Sequence, residues 1–255
     1  MSKSSNDWIP LQIKVFSRWF KTHLPKSASG ISDITKDLSN GVALVELAQN
    51  LTHKDAPRPW EKQPQRVVDQ VMNCDLAIEM FQNDGVKLVG ISGKDISDNN
   101  EKLILGLVWS LILRYSISNA TQEAADKDNN DEKQKGVQNI LYQWAIDRVR
   151  TYPNLTNFAP YDLAICALLD SYYPEKINFY SLMANDVEGN IELANKVMTE
   201  LGIPVFIMFD DLTDRAVDEK ALLTQLASIK VIIEKSIIHN KELEELKAKA
   251  AVETE

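Results

Sequence analysis

Few side chains in this 255-residue chain are of types that could do covalent or metal chemistry, and their spacing argues against it. His23, His53 and His239 are scattered, and none stands with a cysteine or a glutamate at the separations that hold a metal. The two cysteines, Cys74 and Cys166, sit in apolar stretches of helical periodicity. That context predicts two buried, inert thiols and a cytosolic location. The nine glycines fall mostly singly, which leaves no phosphate-cradling loop. Asp126, Asp128 and Asn130 have the spacing of the first ligands of a calcium loop. Such a loop needs glycine at its sixth position and glutamate at its twelfth, where this chain has Asp131 and Val137. The expectation is no enzyme, no cofactor and no bound metal.

What remains is recognition by charge and apolar surface. A net charge of −9 argues against nucleic acid or an anionic membrane as the partner of the whole surface. The charge is uneven: residues 1–120 hold 14 Lys+Arg against 13 Asp+Glu, and the remainder hold 14 against 24. An acidic partner would therefore meet the first half. Lys14, Arg18 and Lys21 recur at i, i+4 and i+7, which stacks them on one outward stripe of a helix.

The elements that carry these residues are helical. Val15, Phe16, Trp19 and Phe20 repeat at spacings of three and four, as do Leu44, Leu47 and Leu51; residues 67–81 read as one helix, and strand-type alternation is weak. The fold class is all-α. Residues 120–136 are almost free of large apolar side chains and divide two apolar blocks. The blocks echo each other: Trp19 behind Val15-Phe16 recurs as Trp144 behind Ile140-Leu141, and Leu44 and Leu47 recur as Ile165 and Leu168. The division is a first domain at 8–118, a linker at 119–136, a second domain at 137–236 and a charged helical tail at 237–255. The longest apolar run, Leu103 to Trp109, falls well short of the roughly 20 residues of a membrane span, so none is expected.

Three stretches of the first block resemble a type 1 calponin-homology domain of the filamin, α-actinin and spectrin group. They are Trp8-x3-Gln12-x3-Phe16-x2-Trp19-x4-Leu24, then Asp37-Leu38-Ser39-Asn40-Gly41-Val42-x-Leu44-x2-Leu47, then Val86-Lys87-Leu88-Val89-x-Ile91 followed by Asp98-Asn99-Asn100-Glu101-Lys102-Leu103-Ile104-Leu105-Gly106-Leu107-Val108-Trp109. The second block resembles the type 2 domain through Leu201-Gly202-Ile203-Pro204 and Val217-Asp218-Glu219-x2-Leu222-x-Thr224-x-Leu226. The wording leans toward filamin. Asn99 replaces the family's usual glycine, and asparagine best tolerates the left-handed turn needed there. After Phe158 the second block lacks about three residues, with the usual Trp and turn glycine, and Asp162 stands in the glycine position. Phe209-Asp210 replaces a usual Pro-Glu pair.

The resemblance implies an actin-filament-binding module of a cytoskeletal crosslinking or anchoring protein, docking mainly through the first domain, in the cytoplasm on the actin cytoskeleton. The filament contacts it implies are Gln12, Lys14, Arg18 and Lys21 on the opening helix, and Lys87, Lys102 and Leu103 around the apolar helix at about 100–116. In the second domain they are Gln138 and Arg148, as a weaker contact. Leu105 and Trp109 are expected in the core; periodicity does not tell which other apolar residues of 103–113 face outward. Arg148 and Arg150 are the residues the resemblance offers to an inositol phospholipid headgroup. The tail residues Ile237, Ile238, Leu243 and Leu246 mix with charge but set no sustained heptads, so any dimerisation lies after the second domain. The other reading keeps the fold and makes it a scaffold for another cytoskeletal protein or for microtubules.

Overall fold

The computed structural model describes residues 8–25, 30–121, 131–213 and 215–252. The acidic run at Asp126, Asp128 and Asn130 lies outside them. The chain is all-α; among the described residues the only strand-type pairings are two isolated antiparallel bridges, Thr156 with Ala159 and Thr213 with Ala216. The helices are α1 (Ile9–Thr22), α2 (Ile34–Asp37), α3 (Val42–Thr52), α4 (Val67–Asn83), α5 (Gly93–Ser97), α6 (Glu101–Ile112), α7 (Ser118–Thr121), α8 (Asp131–Val149), α9 (Tyr161–Asp170), α10 (Val187–Glu200) and α11 (Glu219–Val252).

The first domain closes around α1 and α6. Val15, Phe16, Trp19 and Phe20 are each at most 1% exposed, as the spacing predicts, and Phe16 stacks on Trp109 with ring centroids 6.1 Å apart. The second domain has the same plan: Leu141 and Ala145 of α8 are buried with Ile165 and Leu168 of α9 and with Leu223 and Leu226 of α11. One buried apolar cluster runs through both domains.

Turn chemistry explains the motifs. Gly41 holds φ at 73°, and a Cβ there would lie 2.6 Å from the Asn73 Cβ and 2.7 Å from the Cys74 backbone nitrogen. Only glycine permits both the left-handed backbone and the close approach of this turn to α4. Asn73 seals the approach, donating to the Asn40 and Glu61 carbonyls at 3.2 and 2.8 Å. Gly41→Ala is expected to destabilise the first domain by roughly 2–4 kcal/mol, from backbone strain plus overpacking; urea denaturation measures it. Asn99 takes φ 58°, the conformation expected of it, and Asn100 caps α6 by accepting from the Leu103 N–H at 3.3 Å.

Two features depart from expectation. From α6 the backbone continues through a π-helical turn, Leu113–Ile117, into α7. The wider turn brings Ser116 Oγ within 2.8 Å of the Trp19 indole N–H and lets Tyr115 donate to Asp84 at 2.9 Å. The resulting unbroken helix, Glu101–Thr121, is by length and composition apolar enough to cross a membrane, which a count of the run 103–109 does not reveal; 56% of its most apolar window is buried inside the protein. At the start of the second domain, α8 begins at Asp131, inside the segment read as linker. Glu132 falls in its first turn, where an acidic residue favours the helix dipole.

Candidate functional site

The last helix of the second domain, α11, packs against α1, the π turn and α7 of the first. This contact decides where the sequence-derived site residues point. Gln12 is only 2% exposed and donates from Nε2 to Asp218 Oδ2 at 2.7 Å. Arg18 donates from Nη1 to the Phe206 carbonyl at 2.7 Å and forks onto Asp211, with Nη2 3.2 Å from Oδ1. Lys14 Nζ reaches the same carboxylate at 3.1 Å.

The outward stripe is therefore corrected. The spacing does put Lys14, Arg18 and Lys21 on one side of α1, but Lys14 and Arg18 turn to a carboxylate of the second domain, while Lys21 is exposed at the helix end. Periodicity within one helix carries no information about an acid almost 200 residues away. Burial pushes the Asp211 carboxyl up, but hydrogen bonds from Arg18, the Met208 N–H and Lys14, with the charge of Arg18, outweigh it. They hold the group below the usual carboxylate range.

A second clasp joins Lys220 of α11 to Trp109 of α6, with Nζ 5.3 Å from the ring centroid. Arg18→Ala leaves Asp211, whose side chain is 1% exposed, with one flexible cation in place of two. The change is expected to weaken the domain contact by about 1.5–3 kcal/mol, the range for hydrogen bonds to charged groups. A larger radius of gyration in X-ray scattering is the readout.

On the opposite side of α6 the first domain keeps an open groove of about 410 Å³. The segment 87–91 forms one bank, with Lys87, Val89 and Ile91; Leu103, Gly106 and Ser110 of α6 form the other. Val89 is 80% exposed, while Leu107, in the floor, is buried. Lys102 is exposed one turn before Gly106 and shares its face. Of the sequence-derived residues, Lys87, Lys102 and Leu103 are thus brought together. Leu105 and Trp109 are in the core, as expected.

Periodicity does not single out Gly106, because it counts as apolar in a helix that is apolar nearly all round. Its signal was present: a glycine inside an otherwise strong helix costs about 1 kcal/mol relative to alanine and marks a place where bulk is excluded. Beyond its chain neighbours and its own helix backbone, no atom lies within 4 Å of where its Cβ would be, so the space it leaves opens outward.

The remaining residues lie on α8 or, for Arg150, just past its end. Gln138 is half-buried, and Arg148 is exposed with its guanidinium 4.4 Å from the centre of the Tyr172 ring. Arg150 is exposed, 3.9 Å from Asp147 Oδ1. Both thiols are buried, and burial pushes each up to about 12, as expected of inert cysteines.

Residues 11–117 match the calponin homology (CH) domain family. Interaptin of Dictyostelium discoideum is 32% identical over 230 residues, covering 88% of this chain and 13% of that protein. Alpha-actinin A of the same organism is 31% identical over 228 residues, covering 86% of this chain and 25% of that protein. Filamin-C of Rattus norvegicus is 32% identical over 227 residues, covering 86% and 8%. The chain therefore spans a quarter or less of each of these relatives. In fold it is similar to the actin-crosslinking core of Schizosaccharomyces pombe fimbrin, with a TM-score of 0.64 at 19% identity over 90% of this chain and 49% of that one.

Proposed function

The chain belongs to the calponin-homology family, in the group of the filamins, α-actinins and spectrins, and we propose that it is an F-actin-binding module of a cytoskeletal crosslinking or anchoring protein. The observation that carries this reading is the groove between the segment 87–91 and α6. It joins an apolar floor to Lys87, with Lys102 exposed beside it, on the less acidic half of the chain, and it stays open while Gln12, Lys14 and Arg18 of α1 are engaged by the second domain. An acidic polymer fits that surface: the lysines steer it and the apolar side chains supply the contact area.

Docking runs mainly through the first domain. The second domain covers α1, so parting the domains frees Gln12, Lys14 and Arg18 for further filament contact, and closure withholds them. Gln138 and Arg148 of α8 supply a weaker contact.

Co-sedimentation with F-actin at two salt concentrations is the test. The chain is expected to pellet at low salt and to pellet less at high salt, because rim charges are screened. No pelleting at tens of micromolar actin ends the reading, and pelleting with microtubules instead would favour a scaffold of another kind.

A further inference from the structure

The seam between the two domains holds one side chain of a type that changes charge near neutral pH. His23 follows the last turn of α1, and its ring lies against Trp19 with centroids 4.5 Å apart. Its Nδ1 is 2.9 Å from the Trp19 carbonyl and 3.0 Å from Thr22 Oγ1. A carbonyl only accepts, so in the neutral ring Nδ1 carries the hydrogen and Nε2 is the bare acceptor. The ring helps wall an interdomain cavity of about 190 Å³, with Trp19 and Tyr115 on one side and Phe206, Val231 and Ile232 on the other.

We propose that protonation of His23 parts the two domains, which makes filament binding by this chain proton-dependent. The inference rests on the filament-binding reading above. It follows from what faces the ring. On α1, Arg18 is committed to Asp211, and Lys21 is exposed. On the π turn, Arg114 and the Tyr115 hydroxyl both turn to Asp84. On α11 the cavity-facing side chains are Thr224, Ser228, Val231 and Ile232, and Lys230 is paired with Glu234. Pro204 and Phe206 carry no charge, and Asn50 of α3 donates to the His23 carbonyl. Among the described residues lining the cavity there is no carboxylate, so an imidazolium in the closed seam would meet aromatic and aliphatic walls and the neutral polar side chains of Ser116, Asn119, Thr224 and Ser228, but no counter-charge.

Burial lowers the His23 pKa, outweighing the hydrogen bond to the Trp19 carbonyl that raises it. Once the domains part, the ring regains water and remains at the negative end of the α1 dipole, which favours the cation. Proton affinity is therefore higher in the open arrangement. The closed one is favoured above the ordinary histidine pKa and is lost as pH falls through it. The Arg18–Asp211 clasp does not share this titration, because Asp211 is held below the usual carboxylate range and stays ionised. His53 and His239 are exposed and do not line the cavity.

Fluorescence energy transfer between dyes on Val68→Cys and Tyr180→Cys, 54% and 73% exposed in the parent chain, reads domain separation without actin; the native thiols are buried. Between about pH 7.5 and pH 5.5 the open-to-closed ratio is expected to rise by roughly threefold or more. In His23→Asn, which keeps a donor for the Trp19 carbonyl, it should stay flat. An unchanged ratio in the parent, or the same rise in His23→Asn, overturns the proposal. Should His23→Asn fail to fold, proton NMR titration of the His23 ring decides: its midpoint should be higher in Arg18→Glu, where the clasp is broken, and equal midpoints overturn the proposal. Failure to pellet with actin at every pH would overturn the filament reading alone and leave the energy-transfer result standing.

Discussion

Replacing Gly106 by glutamate is expected to cost at least tenfold in affinity for F-actin while leaving the protein as stable as before, or more so. Both halves follow from one position. Gly106 lies in the interior of α6, where exchanging glycine for a helix-forming residue contributes roughly 0.5–1 kcal/mol. No atom obstructs a Cβ there, so the new side chain enters the groove without strain. It would place a negative charge on the bank that bears Leu103 and Ser110, across from Lys87 and one turn from Lys102. Tenfold corresponds to about 1.4 kcal/mol, a modest sum for like-charge repulsion plus lost apolar contact. Gly106→Ala is the control: similar stabilisation, and binding within about twofold of the parent. A Gly106→Glu protein that pellets normally would remove the groove from the filament contact.

Arg215→Ala is expected to destabilise the second domain by about 3–5 kcal/mol, the cost of leaving a buried charge uncompensated. Asp162 is 0% exposed at the start of α9 and accepts from Arg215 Nε and Nη2 at 2.9 and 2.7 Å and from Asn190 Nδ2 at 3.1 Å. Without the guanidinium, the carboxylate keeps a single neutral donor among these. Thermal or urea unfolding monitored by Trp144, the tryptophan of the second domain, measures the loss. Asp162→Ala should cost less, because Arg215 is 32% exposed at its side chain and can turn to water. The reverse order would show that the pair does not act as a buried ion pair.

The Asp162 site marks where reading the sequence stops. Helical periodicity was enough to place Val15, Phe16, Trp19 and Phe20 in the core, to join residues 67–81 into one helix and to find the duplication, because each of these is set by neighbours within a turn or two. Asp162 was visible only as a misfit at a glycine position. Its explanation lies 53 residues on, in Arg215, which takes a left-handed φ of 57°. The pairing of Lys14 and Arg18 with the second domain was out of reach for the same reason: the spacing of the α1 stripe is local, its partner Asp211 is not.

The groove was half legible. Lys87, Lys102 and Leu103 came from resemblance, whereas Val89 and Gly106 needed the packing of the 87–91 segment on α6 to be seen as its walls. The π turn left no mark in the apolar pattern, since Leu113 and Ile117 are both buried and stand four apart, a spacing an α-helix shares.

Photo-crosslinking from two positions on the same chain tests the central claim most directly. A photoreactive side chain at position 89 replaces Val89, 80% exposed at the groove; one at position 180 replaces Tyr180, 73% exposed on the second domain. Irradiation in the presence of F-actin should join the chain to actin from position 89 and not from position 180. A crosslink from position 180 with none from position 89 would contradict docking through the first domain's groove.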